Sequence, residues 1–385
     1  MGNQEARTRE TLRFLENNDT NLGFRRLLDC VADTQDMQLY KEAIELTNWK
    51  EKNPEQQAVL TEKAKALLLK TGNATLSEYN VSKAVVVARD LIKQYKPGSF
   101  ALGPISLQIN KGDVYGLVGE NGNGKTTLLR ILARELRENA GSVQYQFHTP
   151  AKNDFDLRTK LVYIPQRTKK WYGSLKDNLK LVLSSYGTPA HENETRVLFM
   201  IARLGLWNYR HLKWSELSSG YKMRFELART LLRKPELLLL DEPLANLDVL
   251  AQQIILEDLK SIANSVNNPI ALMLSSQQLY EVEKVSDKVI YLKNGKYTDN
   301  SLVGNTATPT ENLIVEIETI VGREELSAAL NHLLPEKISY NGGVYIVYFK
   351  KEKLFSDVLS ALGTNNVEVT YIRNISNSTR KYFVA

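Results

Sequence analysis

The sequence predicts an α/β core with a largely parallel sheet, preceded by a helical bundle and followed by a small α+β sandwich. Three observations predict it. Residues 1 to about 80 read as helices only, from apolar residues recurring at helical spacing. From about 83 to 300, strand and helix patterns alternate, with Gly and Asn-Gly turns between them. Beyond residue 310 the order of elements reads βαββαβ.

In the first segment, Phe24, Leu27, Leu28 and Val31 recur at i, i+3, i+4 and i+7. Leu60, Ala64, Leu67 and Leu68 do the same, and Tyr40, Ala43 and Ile44 mark a helix between them. Asn53-Pro54 is expected to cap and open the last helix, with Gly72 at its end. The expectation is a bundle of about four helices over 1–80, with no catalytic pattern.

Residues 83–300 form the expected α/β domain. Lys111-Gly112-Asp113 and Lys293-Asn294-Gly295-Lys296 read as turns. Val114 to Val118 reads as a strand, and Leu128 to Leu136 carries apolar residues at helical spacing. Residues 298–310 look like a linker.

The last domain, 310–385, begins with an alternating strand at Ile314 to Glu318 and a helix marked by Leu326, Ala329, Leu330 and Leu333. Asn341-Gly342-Gly343 links Ile338–Tyr340 to Val344–Phe349 as a hairpin. Leu354, Phe355, Val358, Leu359 and Leu362 mark a second helix, and Val367 to Ile372 a last strand. This order suggests a ferredoxin-like sandwich. Lys350-Lys351-Glu352-Lys353 reads as a solvated helix start.

Composition narrows the function. With 43% hydrophobic residues among 385, sizeable cores are available. Cys30 is the one cysteine, so no disulfide forms within the chain; it reads as a small buried hydrophobe in a reducing compartment. The start of the sequence is polar and charged, unlike a signal peptide. No apolar run approaches the ~20 residues of a membrane span, so a membrane role is expected to work through a partner. The net charge of +6 is modest for the length, and a solvated surface is the default reading.

The run Gly119 to Thr127, Gly-Glu-Asn-Gly-Asn-Gly-Lys-Thr-Thr, fits G-x-x-x-x-G-K-[ST] between the expected strand and helix. Glycines let successive backbone N–H groups turn toward an anion, and a helix start adds the positive end of its dipole. Lys125 supplies a point charge for outer phosphates, and the Thr126 hydroxyl suits Mg²⁺.

Leu237 to Leu240 reads as a buried strand ending in Asp241-Glu242-Pro243, where ligands bind in parallel α/β sheets. Asp241 is placed to hold Mg²⁺, and Glu242 to polarise an attacking water. Leu217-Ser218-Ser219-Gly220-Tyr221 precedes an amphipathic helix and offers further N–H donors, although taken alone it is equally an ordinary helix cap.

Together these residues resemble the nucleotide-binding domain of ABC-type ATPases, over roughly residues 83–300. Tyr95 lies upstream of the phosphate loop. Tyr163-Ile164-Pro165-Gln166 is similar to the family's glutamine loop, and Leu217 to Tyr221 to its signature. Asp241-Glu242 ends the acidic strand, Asn246-Leu247-Asp248 resembles the D-loop, and Ser275-Ser276-Gln277 lies where a switch histidine is expected.

The resemblance implies a P-loop ABC ATPase fold binding ATP and Mg²⁺. It implies that Tyr95 stacks on adenine and that Asn121, Gly122, Asn123, Gly124, Lys125, Thr126 and Thr127 cradle the phosphates. Thr126, Gln166 and Asp241 would surround the metal, and Glu242 would act as base. Ser218, Gly220 and Asp248 would reach nucleotide held by a second copy, giving a head-to-tail homodimer, or a pair with a homologous chain. Three departures stand out: Ser219 replaces a glycine, Tyr221 a glutamine, and Gln277 the histidine. A neutral amide hydrogen-bonds but carries no charge, so slower or less pH-dependent hydrolysis is expected.

The resemblance points to the ATP-binding subunit of an ABC transporter, cytoplasmic and held at the inner face of the membrane by a separate permease. Ser174 to Leu179 resembles the segment that meets permeases, and Ser276 to Glu283 looks most like ABC-2-type exporters. The alternative is a soluble ABC ATPase acting on the ribosome or nucleic acid. Against it, there is one nucleotide domain, no charged helical linker, and no Lys/Arg stripe interleaved with aromatics.

Overall fold

The structure is a computed structural model that describes residues 3–72, 74, 83–95, 98, 100–277, 282–297, 312–341, 343–350 and 352–376. The expected linker 298–310 lies outside the described residues, as do Gly342, Lys351 and 278–281 of the exporter-like segment.

A six-stranded sheet forms the centre, in the order β5 (Leu161–Ile164), β6 (Leu237–Leu240), β7 (Ala271–Ser276), β3 (Val114–Val118), β8 (Lys288–Lys293) and β9 (Lys296–Tyr297). Its strands are parallel except for the β8–β9 hairpin, which turns at Asn294-Gly295. Every residue of β3, β6 and β7 is buried, as suits strands covered on both faces. A second sheet was not legible in the sequence. It is antiparallel, three-stranded, and ordered β2 (Ala101–Asn110), β1 (Ala84–Gln94), β4 (Ala140–Tyr145).

The helices of this part are α5 (Lys125–Leu132), α6 (Asp154–Lys160), α7 (Leu175–Ser185), α8 (Ala190–Arg203), α9 (Ser219–Leu231) and α10 (Val249–Ala263). The helix after the phosphate loop ends at Leu132 rather than Leu136. Ala133 caps it, and Arg134 turns to a left-handed φ of 56°.

Four N-terminal helices precede the sheets: α1 (Asn3–Glu16), α2 (Thr20–Thr34), α3 (Met37–Lys52) and α4 (Gln57–Gly72). Asp19 and Asp36 accept first-turn N–H groups at the starts of α2 and α3. The expectation for Asn53-Pro54 is corrected. Asn53 ends α3, its amide donating to the Trp49 carbonyl at 2.8 Å, and α4 starts only at Gln57. The same amide side chain can satisfy orphan groups at either helix end, so its type alone did not tell which.

These helices share one core with α8 and α10. Tyr40 stacks on Phe199 with ring centroids 4.0 Å apart. Buried Asp29 accepts from Arg26 at 2.9 Å and from Arg203 at 2.8 Å, and also bonds Ser261 of α10. Burial alone would raise the Asp29 pKa; Arg203, Arg26 and Arg7 reverse this and hold it well below the usual carboxylate range.

The C-terminal sheet has the order β11 (Lys337–Asn341), β12 (Val344–Lys350), β10 (Asn312–Thr319), β13 (Val369–Asn374), antiparallel throughout. Helices α11 (Arg323–Leu330) and α12 (Phe355–Thr364) complete the ferredoxin-like order. Val315, Ile317 and Phe349 pack with Leu326, Leu330 and Leu362. Two boundaries differ from expectation. Residues Asn331–Leu333 tighten into a 3₁₀ turn, and the last strand starts at Val369 instead of Val367. Val367 is buried in the core ahead of that strand.

Among the described residues, no helix is long and apolar enough to cross a membrane.

Candidate functional site

The parallel sheet brings three loop ends together. The phosphate loop leaves β3, Asp241-Glu242 follow β6, and Gln277 follows β7, which lies between β3 and β6. Gln166 follows β5 at the edge next to β6. This is the carboxyl end of the strands, where α/β sheets bind ligands.

The loop's backbone is built for close approach. Gly122 and Gly124 take φ of 83° and 98°, where side chains are strained. A Cβ at Gly124 would lie 2.7 Å from Leu102 and 3.0 Å from Phe100, whereas one at Gly122 would meet nothing within 4 Å. Gly122 is therefore required by conformation, and Gly124 by both conformation and space. The Asn123 side chain is buried and accepts from the Asn294 N–H at 2.9 Å, tying the loop to the β8–β9 turn. Asn121 is exposed.

Lys125 is only 4% exposed. Its ammonium donates to the Gly119 carbonyl at 2.6 Å and the Glu120 carbonyl at 3.2 Å, and lies 3.4 Å from Glu242 Oε1. Its ammonium is thus shared between two carbonyls and the Glu242 carboxylate.

Thr126 Oγ1 donates to Asp241 Oδ2 at 2.8 Å. These two oxygens form a hard donor pair of the kind Mg²⁺ takes alongside phosphates, so the residues present fit the ion. Gln166 is directed elsewhere: its amide donates to Glu242 Oε2 at 3.1 Å. Gln277 donates to both Glu242 oxygens, at 3.1 and 2.9 Å. Glu242 itself sits at a left-handed φ of 47°, which costs on the order of 1 kcal/mol for a residue with a side chain.

Two residues that the motifs include, but to which sequence reasoning assigned no role, support the acids. Ser275 Oγ, fully buried, donates to Asp241 Oδ1 at 2.8 Å and accepts the Glu242 N–H at 2.8 Å. The Tyr163 hydroxyl donates to Asp241 Oδ2 at 3.1 Å. Burial, and then the Asp241 carboxylate, push the Tyr163 phenol well above its usual pKa, so it stays a donor. A serine closing an otherwise apolar buried strand was the available signal for Ser275.

Tyr95 is 41% exposed beside the loop, its hydroxyl 3.4 Å from Thr127 Oγ1. Ser218 caps α9, accepting the Tyr221 N–H at 3.5 Å, and Asp248 caps α10, accepting the Ala251 N–H at 2.8 Å. Ser219 Oγ donates to the Asn246 carbonyl at 2.9 Å, so these two helix starts are neighbours. Among the described residues, no hydrogen bond or ion pair links Ser218, Gly220 or Asp248 to the phosphate loop. The structure thus gathers Lys125, Thr126, Gln166, Asp241, Glu242 and Gln277, and leaves Ser218, Gly220 and Asp248 as a separate face.

A sequence profile described as "ABC transporter" matches residues 102–245. Among curated relatives, the uncharacterized ABC transporter ATP-binding protein YdbJ of Bacillus subtilis (strain 168) is 31% identical over 222 residues, 56% of this chain and 69% of that one. The phosphonates import ATP-binding protein PhnC of Treponema denticola is 30% identical over 230 residues, 55% and 87% of the two chains. The ABC transporter ATP-binding protein NatA of B. subtilis is 28% identical over 198 residues, 51% and 79%. Among solved structures, cbiO1 from Clostridium perfringens, part of the ABC transporter complex cbiONQ, has the same fold at a TM-score of 0.51 and 24% identity, covering 56% of this chain and 87% of that one. The loop, the paired acids and these relatives lead to one conclusion: the chain belongs to the family of ABC transporter ATP-binding proteins, and it is an ATPase.

Proposed function

We propose that this chain is the ATP-hydrolysing subunit of an ABC exporter of the ABC-2 type, acting as a pair of copies against a separate membrane permease at the inner face of the membrane. The observation that carries the ATP-hydrolysing part of this reading is the convergence of Lys125, Gln166 and Gln277 on one carboxylate, Glu242.

The chemistry follows from that convergence. An incoming ATP phosphate competes with Glu242 for the Lys125 ammonium. Once released from Lys125, Glu242 accepts a proton from water while the Gln277 amide keeps its carboxylate oriented. Lys125 and the N–H groups of Asn121 to Thr127 hold the outer phosphates, and the exposed Tyr95 ring offers its face to adenine. Thr126 and Asp241 would hold Mg²⁺, which neutralises phosphate charge when bound, and Gln166 would join them only by leaving Glu242.

The separation of Ser218, Gly220 and Asp248 from the loop supports a head-to-tail pair, in which each copy offers this face to nucleotide on the other. ATP then favours the closed pair, and hydrolysis and release reopen it. Ser174 starts α7 by accepting the Asp177 N–H, and this helix is the expected meeting point with the permease. The exporter assignment rests on the likeness of residues 276–283; among the relatives, PhnC is an import protein.

The test is to tag the chain in its native host, solubilise membranes in mild detergent and identify what co-purifies. A stoichiometric polytopic membrane protein is expected. Ribosomes or nucleic acid, with no membrane protein, would contradict the reading and favour the soluble alternative.

A further inference from the structure

Outside the phosphate site, a cleft of about 880 Å³ lies where α2 and α3 meet the 207–209 turn, α9 and α10. Its walls combine apolar and aromatic surface, including Leu22, Trp207 and the 67% exposed Leu250, with charged side chains. The charges do not balance locally. Its acids are already engaged: Asp19 accepts the Leu22 N–H, Glu51 pairs with Lys50 at 3.5 Å and accepts from Asn208, and Glu257 pairs with Arg26 at 2.7 Å.

Two of its cations have no such partner. Arg224 makes no hydrogen bond or ion pair among the described residues; its guanidinium lies over the Tyr221 ring at 5.5 Å. Burial lowers its pKa, and Arg25 adds to this, while Asp258 opposes both. Lys260 is exposed at the rim, likewise with no partner among the described residues. An arginine fork beside aromatic surface matches a planar anion attached to a flat body.

We propose that this cleft binds a small organic anion, a carboxylate or phosphate joined to a flat apolar group, anchored by Arg224. An occupant there rests against α9, which begins at Ser219, and against α10, which follows Asp248. It therefore touches both helices that carry the face assigned to the second copy, and gives the N-terminal helices a ligand-dependent hold on that face. The proposal does not depend on the direction of transport or on a permease.

The experiment titrates the full chain with 1-anilinonaphthalene-8-sulfonate, an aromatic anion, and follows fluorescence with ADP saturating the phosphate loop. Arg224→Gln is expected to weaken dye binding about tenfold, the loss of one charge-assisted contact. Lys260→Glu, at an exposed site that leaves folding intact, is expected to weaken it about threefold. Phenyl phosphate should displace the dye, and phenol at the same concentration should not. Wild-type affinity in Lys260→Glu and in folded Arg224→Gln, or equal competition by phenol, would each overturn the proposal.

Discussion

Gln277 donates its side-chain amide to both oxygens of Glu242, at 3.1 and 2.9 Å. The position that resembles a switch histidine thus holds the candidate base directly, through a group that does not titrate near neutral pH. Gln277→His should introduce a step in the pH dependence of hydrolysis near about pH 6.5, where imidazole gains its proton and attracts the carboxylate. The wild type should show no step attributable to this position. Rate profiles from pH 5.5 to 8 that run parallel for the two proteins would refute the assignment.

Ser275 couples the two acids through one hydroxyl, donating to Asp241 and accepting from Glu242. Ser275→Ala leaves a buried carboxylate oxygen and a half-buried N–H without this partner. Destabilisation of about 1–3 kcal/mol is expected. Because Glu242 is held at a left-handed φ of 47°, its carboxylate should also drift, lowering kcat at least about tenfold with little change in KM. Urea denaturation and steady-state kinetics separate the two effects. A variant that is less stable but turns over normally would make Ser275 purely structural.

Asp29 joins the N-terminal helices to α8 and α10 through Arg203 and Ser261. Asp29→Ala strands the buried Arg203, while Arg26 keeps Glu257, and should cost about 3–5 kcal/mol. The sign of its pH dependence follows from the direction of the shift. The folded-state pKa lies below the unfolded one, so the stabilisation is fully present above the usual carboxylate pKa of about 3.9 and is lost as pH falls below it. The stability gap between wild type and variant should therefore narrow on acidification below about pH 4. A gap that stays constant from pH 7 to pH 3 would contradict a charged Asp29 in the fold.

The parts of the site that were legible are those carried by chain-local patterns. The phosphate loop needs its glycines, Lys125 and Thr126 in one run, and the buried strand Leu237–Leu240 announces Asp241 and Glu242 at its end. Ser275 and Tyr163 were not legible as site residues, because their value comes from strand order. Only when β5 and β7 flank β6 do both hydroxyls reach Asp241. The same holds for Asn53, whose cap could serve either helix, and for the antiparallel sheet, whose strands β1 and β4 are far apart in sequence. The C-terminal order βαββαβ was readable because each of its units is local.

In the proposed mechanism ATP competes with Glu242 for Lys125, which the carboxylate approaches at 3.4 Å. Glu242→Gln removes both the proposed base and the competing charge. Hydrolysis should fall at least about a hundredfold, while ATP binds more tightly than in the wild type. The most direct measurement is the mass of this variant by light scattering, with and without ATP and Mg²⁺, beside its turnover rate. The account predicts a stable dimer only with ATP, and almost no turnover. A monomer at saturating ATP, or turnover at the wild-type rate, would contradict it.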